Sequence, residues 1–375
     1  MTSKSLGLYV HIPFCLRKCN YCDFCSYAGV DPKTRRAYLQ RLSEQIRLFS
    51  DRAREYTVDT LYFGGGTPSL LSPEELTELV GVIRESYRLS GELEFTVEVN
   101  PKTLTREKVD AFVRCGVNRV SMGLQSIHEN EQKILGRVHN FEDFLLSYQM
   151  LLDGGIDNIS VDLMYAIPEQ TLSTLDQTLD AVLALSPKHI SAYSLILEED
   201  TPFDRMRDTL PLPSEDEELQ MYERLCARLA ARGYEHYEIA SYARAGHYSR
   251  HNLRYWSLSP YLGFGVAAHS YFEGERFYHP RDLSAYLLSD AAYYECERER
   301  DPEADAYEYA MLALRTRRGL DLSDYRTRFG KCFTEGKEEK LSRLVREGYM
   351  ILTKDRMAFT ERGIYLSLAI LSEIL

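Results

Sequence analysis

Long hydrophobic runs are missing from this chain of 375 residues. No stretch approaches the roughly 18 consecutive apolar residues that a membrane-spanning helix needs, so we expect no stable membrane insertion. The first seven residues lead directly into an apolar run, so we expect no signal peptide. The sequence therefore predicts a cytoplasmic protein.

An excess of basic residues is also missing. The chain has 45 Lys and Arg residues against 57 Asp and Glu residues, which gives a formal net charge of −12. Binding to nucleic acid, or to an anionic membrane surface, needs a clustered excess of positive charge. We therefore expect neither nucleic acid nor an anionic membrane as a general partner.

Paired cysteine motifs of the kind found in structural zinc sites are a third absence. Cys19 and Cys22 form one C-x2-C pair, but no second pair and no His pair follows it. A total of eight cysteines, three of them in one short stretch, fits a reducing compartment better than a disulfide framework. We expect the four scattered cysteines to be buried and inert: Cys115, Cys226, Cys296 and Cys332.

The stretch that organises the rest of the chain contains three closely spaced cysteines. Cys15, Cys19 and Cys22 form C-x3-C-x2-C directly after residues 6–14, an apolar run that predicts a strand. Closely spaced thiolates suit a soft metal centre. A closed [4Fe–4S] site uses four cysteines, so three would leave one iron open to S-adenosylmethionine (SAM). A zinc knuckle and buried structural thiols are the alternatives, and Cys25 is either a fourth ligand or a nearby free thiol.

Short apolar runs alternate with amphipathic helical patterns over the first half of the chain. The six runs are residues 8–14, 60–63, 95–99, 119–123, 159–164 and 190–196. Such repeats predict an α/β fold with a parallel sheet and helices outside it. Six units fall short of the eight of a closed barrel, so we expect a partial (β/α)6 TIM-like barrel. Functional side chains should gather at the carboxyl ends of its strands.

The pattern changes after residue 202. Residues 214–232 predict a helix, and residues 234–243 and 261–272 predict strands. Helical patterns at 307–317, 321–329 and 338–348 precede a hairpin at 349–352 and 357–360 and a final helix, which together predict a small winged-helix-like unit. We therefore predict three domains: a barrel at 1–205, a barrel extension at 206–300, and a C-terminal lid or docking module at 301–375.

The cysteine spacing is the radical-SAM signature, and with its flanking His-Ile-Pro-Phe-Cys it resembles the oxygen-independent coproporphyrinogen III oxidase-like branch. A Gly-Gly-Gly-Thr-Pro run at 64–68 stands one predicted strand later. Two subfamilies compete within this branch. The dehydrogenases carry a cysteine where this chain has Phe24, and they have a longer N-terminus. The HemW-type haem chaperones share Cys-Asp-Phe at 22–24, a short N-terminus and an HNxxYW motif, here residues 251–256.

This resemblance implies a set of cofactor-binding residues. It assigns Cys15, Cys19 and Cys22 to a [4Fe–4S] cluster. It assigns eight further positions to SAM: Tyr9, Gly65, Gly66, Thr67, Glu98, Gln125, Arg137 and Asp162. These residue types suit the ligand, because carboxylates can hold ribose hydroxyls or an ammonium and an arginine can hold a carboxylate.

Haem is the third cofactor that the resemblance implies. His251, Tyr255 and Trp256 fall within six residues, and they could supply an axial iron ligand and rings for stacking. His269 is a second candidate for the axial ligand.

Residues 263–268 also match the dinucleotide fingerprint G-x-G-x-x-A, but no helix is predicted after them, so we interpret them as a strand edge passing close to the cofactor.

Two functions from different classes follow. The resemblance implies a haem chaperone that binds the cluster, SAM and haem and delivers haem to apoproteins, without requiring a turnover reaction. The alternative is an enzyme of porphyrin biosynthesis, an oxygen-independent coproporphyrinogen III dehydrogenase that performs radical oxidative decarboxylation. In the enzyme the cofactor would supply the chemistry, while the protein would supply orientation and a dry cavity.

Overall fold

The computed structural model describes residues 4–375. Its strands are β1 (Lys4–Ile12), β2 (Phe14–Cys15), β3 (Tyr27–Ala28), β4 (Tyr56–Gly65), β5 (Leu89–Val99), β6 (Arg119–Gln125), β7 (Ile159–Tyr165), β8 (His189–Ser194), β9 (Glu235–Glu238), β10 (Ser241–Ala243), β11 (Tyr261–Phe264), β12 (His269–Phe272), β13 (Glu275–Tyr278), β14 (Glu295–Arg298), β15 (Leu320–Asp321), β16 (Met350–Leu352) and β17 (Arg356–Phe359). Its helices are α1 (Pro32–Phe49), α2 (Pro73–Ser86), α3 (Arg106–Cys115), α4 (Glu129–Leu135), α5 (Phe141–Asp153), α6 (Leu172–Leu185), α7 (Pro202–Arg205), α8 (Glu215–Ala231), α9 (Arg250–Trp256), α10 (Leu283–Leu288), α11 (Pro302–Leu314), α12 (Leu322–Phe329), α13 (Glu338–Arg346), α14 (Glu361–Tyr365) and α15 (Ser367–Ile374).

One large sheet carries the fold. Its strand order is β14-β13-β12-β11-β1-β4-β5-β6-β7-β8-β10-β9, and the six predicted strands form its parallel centre as β1, β4, β5, β6, β7 and β8. A row of paired residues crosses this centre, from Val10 through Phe63, Val97 and Val120 to Ile159, and every one is buried. β9 and β14 form the two outer edges, so the sheet is an open, partial barrel. The predicted fold class is confirmed.

Helices cover the outer side of the parallel strands. α2 shows why the chain folds locally in this way: Ser72 caps its first turn, Pro73 occupies its first position, and Glu75 completes a capping box. Its buried face consists of Leu76, Leu79, Val80, Val82 and Ile83. Burial of each such side chain contributes about 1.5–3 kcal/mol, which holds the helix against the sheet.

Two predicted strands are in fact pairs of strands. Residues 234–243 form the antiparallel pair β9 and β10, and residues 261–272 form β11 and β12. β11 lies parallel to β1, whereas β12 turns back along β11. The turn begins at Gly265, whose φ of 103° is a conformation that side-chain-bearing residues rarely adopt. The sequence hid this turn, because the four residues between the two strands, 265–268, include one glycine and no polar residue.

The C-terminal part has a hydrophobic core of its own. Helices α11, α12 and α13 and the three-stranded sheet β15-β17-β16 surround buried Leu314, Leu341 and Phe359, an arrangement of the winged-helix kind. α11 begins at Pro302 and not at 307, because the Asp301 side chain caps its first turn. The division of the chain at residues 205 and 300 stays a prediction.

The scattered cysteines are not all buried. Cys115 and Cys226 are buried as expected, but the expectation is wrong for Cys296 and Cys332, which are exposed. Cys296 lies on the edge strand β14, and Cys332 lies in the loop after α12, where neither side chain is covered by a packed layer. Within residues 4–375, no helix is both long enough and apolar enough to cross a membrane.

Candidate functional site

The cysteine loop lies at the carboxyl end of the parallel strands. Cys15 ends β2, and Cys19 and Cys22 follow in the loop that leads towards β3. All three thiols are free and partly exposed, and they line one cavity of about 390 Å³. This is the end of a parallel sheet at which ligands bind in α/β folds.

Buried polar side chains hold this loop in place. The Tyr9 hydroxyl is hydrogen-bonded to Nδ1 of His11 (2.9 Å), and Nε2 of the same ring is hydrogen-bonded to the carbonyl oxygen of Cys25 (2.8 Å). On the other side, the Asn20 amide donates to the carbonyl oxygen of Ile134 (2.8 Å). Hydrogen bonds therefore anchor the loop at Asn20 and at Cys25.

The three thiols fit an iron–sulfur cluster. Thr67 Oγ1 donates to Cys15 Sγ (3.6 Å) and Arg137 Nη1 donates to Cys19 Sγ (3.7 Å), so each of these sulfurs has a donor that favours negative charge. Burial raises the pKa of Cys22 to about 11, so a metal centre would have to displace its proton. Among the described residues, no group of three or more Cys, His, Asp or Glu side chains is placed to bind a single metal ion. A cubane does not require that, because each cysteine binds a different iron.

Cys25 faces a different surface. Its Sγ contacts the carbonyl oxygen of Arg281 (3.2 Å) and the hydroxyl of Tyr27 (3.5 Å). It lines a separate depression of about 380 Å³ together with His269. This position favours the interpretation of Cys25 as a free thiol and not as a fourth ligand.

Most of the residues predicted to bind SAM meet in the cavity of the three cysteines. Seven of the eight line it: Gly65, Gly66, Thr67, Glu98, Gln125, Arg137 and Asp162. They come from the carboxyl ends of β4, β5 and β6, from the middle of β7, and from the segments after β4 and after α4. Tyr9 does not line the cavity. Its ring stacks on that of Tyr62 at 6.1 Å between centroids, and Tyr62 is the residue at the cavity wall.

The two carboxylates are held in defined positions. Glu98 accepts hydrogen bonds from the hydroxyl of Tyr62 (2.8 Å) and the backbone N–H of Gly65 (3.0 Å). Asp162 accepts from the hydroxyls of Ser121 (2.9 Å) and Ser160 (3.2 Å). Burial raises the pKa of Glu98 to about 7 and also raises that of Asp162. Both groups therefore suit a ligand that brings positive charge or hydroxyl donors.

Glycine lets the arginine reach the cluster loop. Arg137 Nη2 donates to the carbonyl oxygen of Gly123 (2.8 Å), and a Cβ at Gly123 would lie 3.1 Å from that nitrogen. Gln125, two residues later, has a φ of 68°, which turns the chain at the end of β6. A residue with a side chain at position 123 would require Arg137 Nη2 and Gln125 Nε2 to shift by a few tenths of an ångström.

Of the four haem candidates, His251 and Tyr255 are in contact, while Trp256 and His269 line separate surfaces. His251 is buried, with Nδ1 hydrogen-bonded to Thr60 Oγ1 (2.9 Å) and Nε2 hydrogen-bonded to the hydroxyl of Tyr255 (2.8 Å). Burial lowers the pKa of His251 to about 3. Trp256 lines a separate groove of about 730 Å³ beside α11. His269 is partly exposed, and its Nδ1 lies 3.5 Å from a carboxylate oxygen of Glu297.

Further cavity residues were missed from the sequence. They are Tyr62, Arg119, Ser121, Ser191, Tyr193 and Asn252. Strand periodicity offers a signal for two of them, since Arg119 and Ser121 stand four and two residues before Gly123 and so share its face of β6. Asn252 lies in the HNxxYW motif but faces the cavity, whereas His251 does not line it.

The open parallel sheet and its three-cysteine loop define a radical-SAM protein. The model of the Radical SAM superfamily matches residues 9–182, and that of the HemN C-terminal domain matches residues 301–366. Membership of this superfamily implies a [4Fe–4S] cluster and SAM.

Curated relatives narrow the class to a family. A protein of Bacillus subtilis (strain 168) named heme chaperone HemW is 34% identical over 361 residues, which cover 95% of each chain. A protein of the same name from Escherichia coli (strain K12) is 31% identical over 366 residues, covering 96% of this chain and 95% of that one. The chain belongs to the HemW family.

A solved structure supports the fold. The coproporphyrinogen III oxidase HemN from Escherichia coli, described as a radical SAM enzyme, superimposes with a TM-score of 0.87. The match covers 99% of this chain and 90% of that chain, at 22% sequence identity. Similarity at this level of identity shows a shared fold and leaves the reaction open.

Proposed function

We propose that this protein is a haem chaperone that binds a [4Fe–4S] cluster, SAM and haem and delivers haem to apoproteins. The nearly full-length similarity to proteins named heme chaperone HemW carries the proposal. The three-cysteine loop beside a polar cavity supports its cofactor part. Haem-accepting apoproteins are its proposed partners, and the C-terminal unit at 301–375 is their proposed docking module.

The proposed cofactor site assigns a role to each group at the cavity. Cys15, Cys19 and Cys22 would hold a cluster, which supplies one open iron for the amino and carboxylate groups of SAM and an electron for its sulfonium. Thr67 and Arg137 would stabilise the thiolate charge through the hydrogen bonds that they already donate.

The strand ends would bind the rest of SAM. Gly65 and Gly66 expose backbone close to the ligand, and a side chain at Gly65 would collide with His11, 2.4 Å from its Cε1. Glu98 and Asp162 would accept hydrogen bonds from hydroxyl or ammonium groups. Gln125 would contribute an amide at the rim of the same cavity. Tyr9 would support this wall from behind, through its stacking on Tyr62.

The haem ligand is proposed among the predicted residues. His269 is accessible, so it can approach iron without a change elsewhere in the chain. His251 would first have to give up its hydrogen bonds to Thr60 and Tyr255. Trp256 offers an aromatic surface in the groove beside α11. Replacing each histidine in turn distinguishes haem ligation by His269 from haem ligation by His251.

A haem titration run beside a turnover assay tests the proposal. Anaerobic protein should shift the Soret band of added haem, and His269→Ala or His251→Ala should weaken that shift. His247→Ala is the matched control, since His247 is a partly buried histidine outside the predicted set. Incubation with coproporphyrinogen III and SAM should yield no protoporphyrinogen. Product formation would support the dehydrogenase instead, and an unchanged haem spectrum with wild-type protein would exclude the chaperone.

A further inference from the structure

Arg119 is a buried guanidinium without a partner. It begins β6, and only 1% of its surface is exposed. Its Nε is buried without a hydrogen-bond partner, and its side chain forms no hydrogen bond or ion pair with any other residue among 4–375. An unpaired buried charge costs several kcal/mol, so a folded protein rarely keeps one that nothing neutralises.

This guanidinium faces the cavity of the cysteine loop. Arg119 lines that cavity and pairs with Thr96 on the neighbouring strand, two residues below the level of Glu98. The cysteines lie at the opposite, carboxyl end of the strands. Arg119 therefore marks the inner end of the cavity, beyond the residues proposed to hold SAM.

A second unused donor lies at the same cavity. Asn252 stands in α9, where its backbone N–H is bonded to Ser249 Oγ (3.3 Å). Asn252 lines the cavity, and its side-chain amide forms no hydrogen bond within the part of the chain that the structure describes. Arg119 and Asn252 come from distant parts of the sequence, yet both present hydrogen-bond donors to the same space.

The protein's own carboxylates do not satisfy these donors. Glu98 is hydrogen-bonded to Tyr62 and Gly65, and Asp162 is hydrogen-bonded to serines. Both carboxylates are near enough for Arg119 to lower their pKa electrostatically, but neither pairs with it. A planar guanidinium matches a carboxylate in a bidentate geometry, and an amide N–H adds a third donor.

We infer that Arg119 and Asn252 form a carboxylate-binding site at the inner end of the cavity. The inference deepens the proposed function, because haem carries two alkyl carboxylates and one propionate is the expected occupant. A free small carboxylate is the other source of the same chemistry. In either case the ligand supplies the hydrogen-bonded carboxylate that Arg119 lacks.

Haem and its dimethyl ester distinguish these sources. The ester has the same ring and iron but no ionised propionate. Cluster-containing protein without SAM should bind haem about tenfold or more tightly than the ester, because hydrogen bonds to charged groups are the strong ones. A calorimetric titration with sodium propionate tests the free carboxylate and needs no haem. If haem fails to bind but propionate binds, the proposed function fails and the site remains.

Variants test the two donors. Arg119→Met removes the charge, and Asn252→Asp adds a negative charge in nearly the same shape, so each should abolish the preference for haem over the ester, or the binding of propionate. Asn252→Asp keeps the inference testable if the Arg119→Met protein does not fold. Asn100→Asp is the control, because it places the same charge at the end of β5 in the same cavity. Equal loss in Asn252→Asp and Asn100→Asp, or no loss in either donor variant, would overturn the inference.

Discussion

At the scale of single residues, the site combines groups whose charge depends on burial. Arg137 donates a hydrogen bond to Cys19, and Thr67 donates one to Cys15. Glu98 accepts hydrogen bonds from two donors in the same cavity. Each contact joins residues that are at least 33 positions apart in the sequence. Small changes here should therefore alter cofactor binding more than they alter folding.

The cysteines give the most direct prediction. Cys22→Ser should abolish the [4Fe–4S] cluster, because a hydroxyl replaces one of only three thiolates at the cavity. Cys25→Ser should retain it, because that sulfur faces Arg281 and Tyr27. Iron content and visible absorption after anaerobic reconstitution measure both. Loss of the cluster in both variants would mean a site closed by four thiolates.

Binding of SAM should depend on pH through Glu98. Burial raises the pKa of this carboxyl to about 7, so its ionised fraction grows as pH rises from 6 to 8. SAM is a cation overall, and it should therefore bind up to about tenfold more tightly at pH 8 than at pH 6. Equilibrium dialysis measures the change. Glu98→Gln should flatten the profile, and a variant profile as steep as that of the wild type would assign the titration to another group.

The sequence predicts which residues of the parallel strands line the cavity better than it predicts side-chain contacts between elements that are distant in the sequence. Glu98 and Gln125 reach one cavity because the carboxyl ends of parallel strands meet there, and Asp162 lines the same cavity from the middle of β7. Tyr9 lies behind the wall, because Tyr62 on the neighbouring strand occupies the surface. The direction of His251 depends on Thr60, 191 positions earlier, and no local pattern reports that contact.

At the scale of elements, the turn between β11 and β12 connects the sheet to the cysteine loop. Tyr38 in α1 donates from its hydroxyl to the carbonyl oxygen of His11 (2.7 Å) and accepts from the backbone N–H of Val266 (3.2 Å). His11 in turn binds the carbonyl of Cys25. The strand pattern at 261–272 gave no sign of this turn, because its only mark is the glycine that permits it.

Replacing Gly265 tests the turn. A Cβ there would lie 2.3 Å from the Tyr38 hydroxyl oxygen, and φ is 103°, so Gly265→Ala should lower the free energy of unfolding by about 2–4 kcal/mol. Gly81→Ala is the control, since Gly81 lies within α2 with nothing inside 4 Å of its Cβ. That change should stabilise by about 0.5–1 kcal/mol. Urea unfolding measures both, and similar values for the two variants would argue against strain at Gly265.

At the scale of the whole molecule, two hydrophobic cores meet beside an ion-pair network. The core around α11 also takes in Leu258, Tyr261 and Tyr271 from the segment that follows the barrel. The network connects β13 and β14 to α11 through Arg276, Arg298 and their acidic partners. The C-terminal unit is therefore joined to the sheet by both apolar packing and charge.

Glu308 is the centre of that network. It pairs with Arg276 and with Arg298 (2.7 Å), and its side chain is largely buried. Glu308→Gln therefore leaves Arg276 with its hydrogen bond to Tyr261 but without this ion pair, and leaves Arg298 paired with Asp305 alone. We expect a loss of about 1–3 kcal/mol at the junction, less than a fully buried pair would cost. Hydrogen exchange of α11 should rise. Glu303→Gln removes an exposed pair with Lys331 and should leave exchange unchanged. Equal exchange in both variants would show that apolar packing alone holds the C-terminal unit in place.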